Sequence, residues 1–315
     1  VAEPRLTIML RLTVLSLASV GALAWNTTLS LLDASRKSLL HPHGRTFTAL
    51  VCGSDNTTTP APLYIFAHGF DCRAVDYSWL CETPGVVTAL LVSTDLVPFL
   101  PDTKDLALDQ AFASVALPAM AANASSPLHG RISGKVVLGG HSMGGGTSVL
   151  AADATFAPQA AGLDAVALYA PGLYTNPSGY SHRGQVKAPL LVVSGAMDCG
   201  PNQLPKEALP LYEDVSSTTK AIVVLRGANH CQWSTPTHGG VCSAPECHAI
   251  DRDTQQGAGR RLLAAFLPAA LGQGGAWDDF EAFLAAGKAR GEWIYLTMRS
   301  PGGANVTNDC PCKSA

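Results

Sequence analysis

Gly140-His141-Ser142-Met143-Gly144 carries the residue types that nucleophilic acyl transfer needs. The pentapeptide fits G-x-S-x-G, a strand-to-helix turn that holds a serine in a strained, exposed conformation above a parallel sheet. Glycines flank it because such a turn packs too tightly for Cβ atoms. The Met143 N–H would be one oxyanion donor, reinforced by the N-terminus of the helix behind it. A serine nucleophile also needs a base and an acid to orient that base. Asp198 follows the apolar run Leu190–Gly195, and His230 follows Ile222–Leu225. His230 would take the Ser142 proton and return it to the leaving alcohol, and Asp198 would orient the imidazole. In the plainer reading the pentapeptide is a tight turn with a solvated serine.

Other residues compete for these roles. Asp164 precedes a strand and so belongs at the wrong end of a parallel sheet, and Asp214 at a helix end reads as a solvated charge. His238 and His248 sit in a cysteine-rich loop as surface groups, and His141 reads as a packing and hydrogen-bonding residue. A second oxyanion donor is expected from the loop after the strand ending at Ala67, where the Phe70 N–H is the candidate. The Phe70 ring would also wall the pocket, with Leu173 and Tyr174 lining it. Alternatively Gly69 is only a turn and Phe70 a core aromatic.

These residues need a frame that brings them together. Strands are expected at 46–51, 63–67, 86–93, 136–138, 165–169, 189–194 and 221–225, with helices at 103–122, 143–153, 204–214 and 254–267. Strands alternating with helices predict a mostly parallel α/β sheet covered on both faces. Ligand-handling groups then gather at the carboxyl ends of the strands. The tail reads as a helix over 277–290 and a strand over 292–297, an edge addition and not a second domain. The span from Ala170 to Lys187 is too short for a large lid domain.

Composition bounds the rest. The chain has 315 residues, 47% hydrophobic and 14% charged, with a net charge of -3. That balance offers no basic face for nucleic acid. Arg5 and Arg11 precede the apolar Leu12–Leu23 stretch, as in a secretory signal peptide cut after Ala24; an uncleaved membrane anchor is the alternative. Nine cysteines fit an oxidising compartment, as do the N-x-[S/T] sequons at Asn26, Asn56, Asn123 and Asn305. A Cys199–Cys231 bridge would tie acid to base, while Cys72–Cys81 and Cys242–Cys247 could close short loops. Connectivity itself does not follow from sequence. A zinc site from Cys231, Cys242, Cys247 and His248 is the alternative, less favoured under oxidising conditions.

At these residues the chain resembles the cutinase-like and PET-hydrolase-like polyesterases, and the related chlorophyllases, of the α/β-hydrolase superfamily, in which the triad runs serine, acid, histidine. Gly140–Gly146 is similar to the polyesterase elbow, where chlorophyllases usually carry arginine in place of Met143. Phe66–Phe70 is more similar to the chlorophyllase oxyanion strand. Ala188–Asp198, Leu209–Tyr212 and Gly227–Cys231 resemble the polyesterase acid and base segments, and those enzymes carry a disulfide close to the triad. The likeness covers about residues 46–270. It departs at Gly172, where PET hydrolases place a tryptophan after the proline matching Pro171, and this puts an aromatic polyester clamp in doubt.

Residue patterns and resemblance together give an expected α/β-hydrolase fold with a 1–24 signal peptide, a 25–272 catalytic domain and a 273–315 extension packed on it. They lead to the expectation of a secreted serine carboxylester hydrolase with an open site, no cofactor and no metal. The expected substrate is an ester, polymeric or lipid-like, and the expected state is a monomer with no stable membrane insertion after signal cleavage. Chlorophyllase-type cleavage of an isoprenoid ester, or a non-catalytic hydrolase-fold binding protein, are the competing expectations.

Overall fold

Along β3 (Ala61–Ala67), Tyr64 and Phe66 point into one hydrophobic core while Leu63 and Ile65 point into another. That two-residue alternation sets the architecture, because a strand buried on both sides must be covered on both sides. The computed structural model describes residues 25–38, 41–54, 59–92, 103–160, 162–172, 182–199, 204, 206–238, 242 and 250–297. The other strands are β1 (Trp25–Asp33), β2 (Arg45–Gly53), β4 (Val87–Val92), β5 (Ile132–His141), β6 (Ala165–Tyr169), β7 (Leu190–Gly195), β8 (Lys220–Leu225) and β9 (Trp293–Thr297). They form a nine-stranded sheet in the order β1-β2-β4-β3-β5-β6-β7-β8-β9.

From β4 through β8 every neighbouring pair is parallel. At one edge β1 and β2 run antiparallel, and at the other β9 pairs antiparallel with β8, Trp293 opposite Leu225. The tail is thus the edge addition expected of it. The helices are α1 (Thr103–Ala121), α2 (Met143–Ala151), α3 (Ala208–Asp214), α4 (Arg252–Ala270) and α5 (Ala276–Ala289). Helices α1, α2 and α3 cover one face of the sheet, with Leu117, Leu150 and Leu211 in its cores. A 3₁₀ segment at Ala74–Glu82 covers the other with α4 and α5, through Trp79, Phe266 and Phe280. The α4 start is capped by Asp251, whose carboxylate accepts the Thr254 N–H at 2.7 Å.

Two elements and the disulfides differ from expectation. The sequence signal for β1 is weak because polar Asn26, Thr27, Thr28 and Ser30 dilute the alternation; only Leu29, Leu31 and Asp33 are buried. The 3₁₀ segment has no helical periodicity to announce it. Cys81 sits on that segment and pairs with Cys52 near the end of β2, their Cα atoms 5.4 Å apart, so it is not joined to Cys72. Cys72 is a buried free thiol. Cys231 pairs with Cys242, which excludes the Cys199–Cys231 and Cys242–Cys247 bridges; Cys199 is disulfide-bonded as well. Cys247 lies outside the described residues, as do His248 and the signal stretch.

The Cys52–Cys81 bond fastens the 3₁₀ segment to the strand edge across a separation of 29 residues. Loop-closure entropy for such a link amounts to roughly 3–4 kcal/mol. The Cys52→Ser/Cys81→Ser double variant is therefore expected to lose about that much unfolding free energy in a urea titration, with a larger m-value than the parent because its unfolded chain is no longer cross-linked.

Candidate active site

All parallel strands from β3 to β8 deliver their carboxyl ends to one edge, and the candidate residues stand there. Ser142 follows β5 with φ 53° and ψ -122°, the strained geometry expected of G-x-S-x-G. Asp71 after β3 and Ala170 after β6 also adopt positive φ, at 53° and 41°. No other non-glycine among the described residues does so, which concentrates backbone strain on this edge.

Hydrogen bonds hold the elbow in place. The Ser142 N–H donates to Tyr169 O at 3.1 Å, and the Ser142 carbonyl accepts the N–H groups of Gly145, Gly146 and Gly172 at 2.9, 3.2 and 2.7 Å. A Cβ on Gly144 would lie 2.1 Å from the Ala67 carbonyl oxygen, and one on Gly140 would lie 2.3 Å from Gly144 O. These contacts leave no room for any residue larger than glycine.

Asp198 and His230 arrive on the loops after β7 and β8. His230 Nδ1 lies 2.8 Å from Asp198 Oδ2, with Asp198 fully buried and His230 nearly so. Because the carboxylate accepts, Nδ1 carries the proton and Nε2 presents its lone pair. The two loops are joined through their backbones: Met197 N–H donates to Ala228 O at 2.8 Å and Ala196 N–H to Leu225 O at 2.9 Å. The bridge expected between Cys199 and Cys231 plays no part in this.

Helix α4 braces the loop that carries His230. Gln255, fully buried, accepts the Asn229 N–H at 3.0 Å and donates to the Asn229 carbonyl at 2.9 Å. Beyond His230, the chain is pinned by Asp76. Its carboxylate accepts the Arg73 N–H at 2.8 Å, the Thr237 N–H at 3.0 Å and the Thr237 hydroxyl at 2.7 Å. Neither residue carries a sequence signal, because each acts on a partner far along the chain.

The loop after β3 comes close to the serine. A Cβ at Gly69 would lie 3.4 Å from Ser142 Cβ, so Phe70 follows directly beside the elbow. Phe70 is 40% exposed, one of two exposed large hydrophobic side chains among the described residues, and so is not a core aromatic. Met143 opens α2, where its N–H has no intrahelical acceptor, while its side chain packs against Ala67 and Leu106. Leu173 and Tyr174 lie outside the described residues.

The competing residues fall elsewhere. Asp164 accepts the Val136 N–H at 2.8 Å and pairs with Lys135, at the opposite edge. Asp214 pairs with Arg183 on the surface, and His238 bonds to the Asp71 carbonyl at 3.0 Å. His141 is buried; its Nδ1 lies 2.8 Å from Tyr77 Oη and its Nε2 3.1 Å from His230 O. Burial, then the neighbouring His230, hold His141 well below the ordinary histidine value. Burial also lowers His68, against a bond to the Gly69 carbonyl.

A nine-stranded, mostly parallel sheet covered by helices, with Ser142, Asp198 and His230 on the loops after β5, β7 and β8, fits the α/β-hydrolase class. The model of the PET hydrolase-like proteins matches residues 65–242, more than half of the chain, and the protein belongs to that family of ester hydrolases. Comparison with curated proteins found no match.

The two lowered histidines set an acid dependence. Unfolded histidine titrates near 6.5, while folded His141 and His68 take up protons only at lower pH. Below that value the unfolded chain binds more protons, so stability must fall as pH drops. The urea midpoint is expected to decline from about pH 7 to about pH 5, and the decline should be shallower in His141→Gln.

Proposed function

We propose that the protein is a secreted serine carboxylester hydrolase that works through an acyl-enzyme. The observation that carries this reading is the Asp198–His230 bond of 2.8 Å on the edge that holds the strained Ser142. Ser142 Oγ attacks the ester carbonyl carbon and His230 Nε2 takes its proton. The carbonyl π electrons move to oxygen, where the Phe70 and Met143 N–H groups receive the developing charge. Collapse breaks the bond to the alkoxy group, which leaves with the proton from His230. Water then repeats the sequence on the acyl-enzyme, releasing the carboxylic acid and restoring Ser142. Asp198 keeps Nδ1 protonated and stabilises the imidazolium throughout.

An exposed Phe70 ring beside the elbow suits a hydrophobic acyl or alcohol group. With Gly172 after Pro171, the pocket has no aromatic residue at that position to face the ring across the site. A polyester or lipid-like ester is therefore expected to bind against the Phe70 ring without an aromatic partner at position 172. Secretion is supported by the disulfides and by exposed sequons at Asn26 and Asn123. It accords with a signal peptide over 1–24, a catalytic domain over 25–272 and an extension over 273–315.

A fluorophosphonate probe tests the chemistry directly. Labelling of the folded wild type is expected to map to Ser142 and to vanish in Ser142→Ala; a folded wild type that takes no label excludes a serine hydrolase. On p-nitrophenyl esters, His230→Ala should lose on the order of a million-fold in kcat and Asp198→Asn about 10⁴-fold. Phe70→Ala should raise KM for long or aromatic esters and leave kcat for acetate esters near wild type. Release of monomers from a polyester film, or of free phytol from chlorophyll, decides between the two substrate classes.

A further inference from the structure

Tyr77 and His141 lie beneath the site, and the hydrolytic steps above use neither. Both are buried, at 0% and 1% exposure. Three hydrogen bonds run through them: Gly69 N to Tyr77 Oη at 3.0 Å, Tyr77 Oη to His141 Nδ1 at 2.8 Å, and His141 Nε2 to the His230 carbonyl at 3.1 Å.

Their directions follow from chemistry. A carbonyl only accepts, so His141 Nε2 carries the proton. A neutral imidazole has one proton, so Nδ1 accepts, and the Tyr77 hydroxyl must donate to it. The Tyr77 oxygen is then left to accept the Gly69 N–H, and the buried Cys72 thiol lies against the same hydroxyl. Burial keeps His141 neutral, which is the only state that leaves Nδ1 able to accept. The His141 ring also packs against the His230 ring, with centroids 4.7 Å apart.

The ends of this chain matter. One is the residue immediately before Phe70, and the other is the backbone of the residue that bears the base. The space around Gly69 is already filled: a Cβ there would come within 3.0 Å of His141 Nδ1 and 3.1 Å of Tyr77 Oη. The oxyanion loop therefore rests directly on both rings.

We propose that Tyr77 and His141 are positioning residues for ester hydrolysis, forming a strut that sets the distance between the Phe70 oxyanion amide and the His230 imidazole. This rests on the reading of Ser142 and His230 as nucleophile and base. No proton travels along the strut: His141 stays neutral when His230 becomes charged. It acts by geometry, and displacement of a catalytic group by about 1 Å can cost on the order of 100-fold in rate.

The experiment compares Tyr77→Phe, His141→Leu, His141→Gln and the Tyr77→Phe/His141→Leu double variant with the wild type. It measures kcat and KM on a p-nitrophenyl ester, affinity for an alkyl boronic acid that mimics the tetrahedral state, and thermal melting. Tyr77→Phe and His141→Leu are each expected to lose about 10- to 100-fold in kcat with KM unchanged. Boronate affinity should fall in parallel. The double variant should lose little more than either single one, because one missing link already breaks the strut. His141→Gln should retain more activity than His141→Leu, since its amide can still donate to the His230 carbonyl. Wild-type kcat in folded Tyr77→Phe and His141→Gln, or losses that follow melting temperature or KM instead of boronate affinity, would overturn the strut. Should His141→Leu fail to fold, the near-isosteric Tyr77→Phe and the His141→Gln variant decide alone. A wild type without esterase activity would instead refute the hydrolase reading itself.

Discussion

The Ser142 carbonyl accepts three backbone N–H groups, from Gly145, Gly146 and Gly172. That one oxygen ties the turn, the first residues of α2 and the loop after β6 to the same point. Positive φ at a serine costs about 1–3 kcal/mol and persists only where its surroundings over-determine it. Here they do: the Ser142 N–H is bonded to Tyr169, and Gly140 and Gly144 are pressed against backbone on both sides. A side chain at either glycine would push the turn off the sheet. The lifted serine and the forward-pointing helix N-terminus both follow from that squeeze.

The loops that carry Asp198 and His230 are brought together in a different way. Parallel strands β7 and β8 end side by side, so their following loops need only short backbone bonds to converge. Met197 N–H to Ala228 O and Ala196 N–H to Leu225 O supply them. With the loops already joined, no covalent link between Asp198 and His230 is required, and Cys231 is left to close the loop to Cys242. Gln255 from α4 and Asp76 from the 3₁₀ segment then fix the chain on either side of His230. The site is thus supported from the helices behind the sheet as well as from its edge.

What could be read in advance depended on range. Strands β3 through β8 show short, mostly apolar runs where they are buried on both faces, and their boundaries fall within a residue or two of those expected from the sequence, save β5, which runs from Ile132 through exposed Ser133, Gly134 and Lys135 to His141. Strand β1 escaped because one side of it is half exposed and carries threonine and serine. The 3₁₀ segment escaped because its buried residues, Ala74, Asp76, Tyr77, Trp79, Leu80 and Cys81, include a carboxylate and lie on several sides of the turn, so no apolar stripe of helical period stands out. Tyr77, Asp76 and Gln255 gave no signal for these roles: a buried polar side chain is recognised by its partner, and His141, Thr237 and Asn229 lie 64, 161 and 26 residues away.

By itself the sequence determined the strand–helix alternation, the serine turn and the order in which serine, acid and histidine occur. These rest on local rules: side-chain period, glycine's freedom from Cβ clashes, and the helix that must follow a buried strand. Which cysteines pair, which backbone bonds join the Asp198 and His230 loops, and how Gly69 is linked to His230 through Tyr77 and His141 were settled by the tertiary structure alone. Those are contacts between segments 64 to 89 residues apart for the two bonds made by His141. A contact at that separation is set by how the chain packs, and no local pattern encodes it.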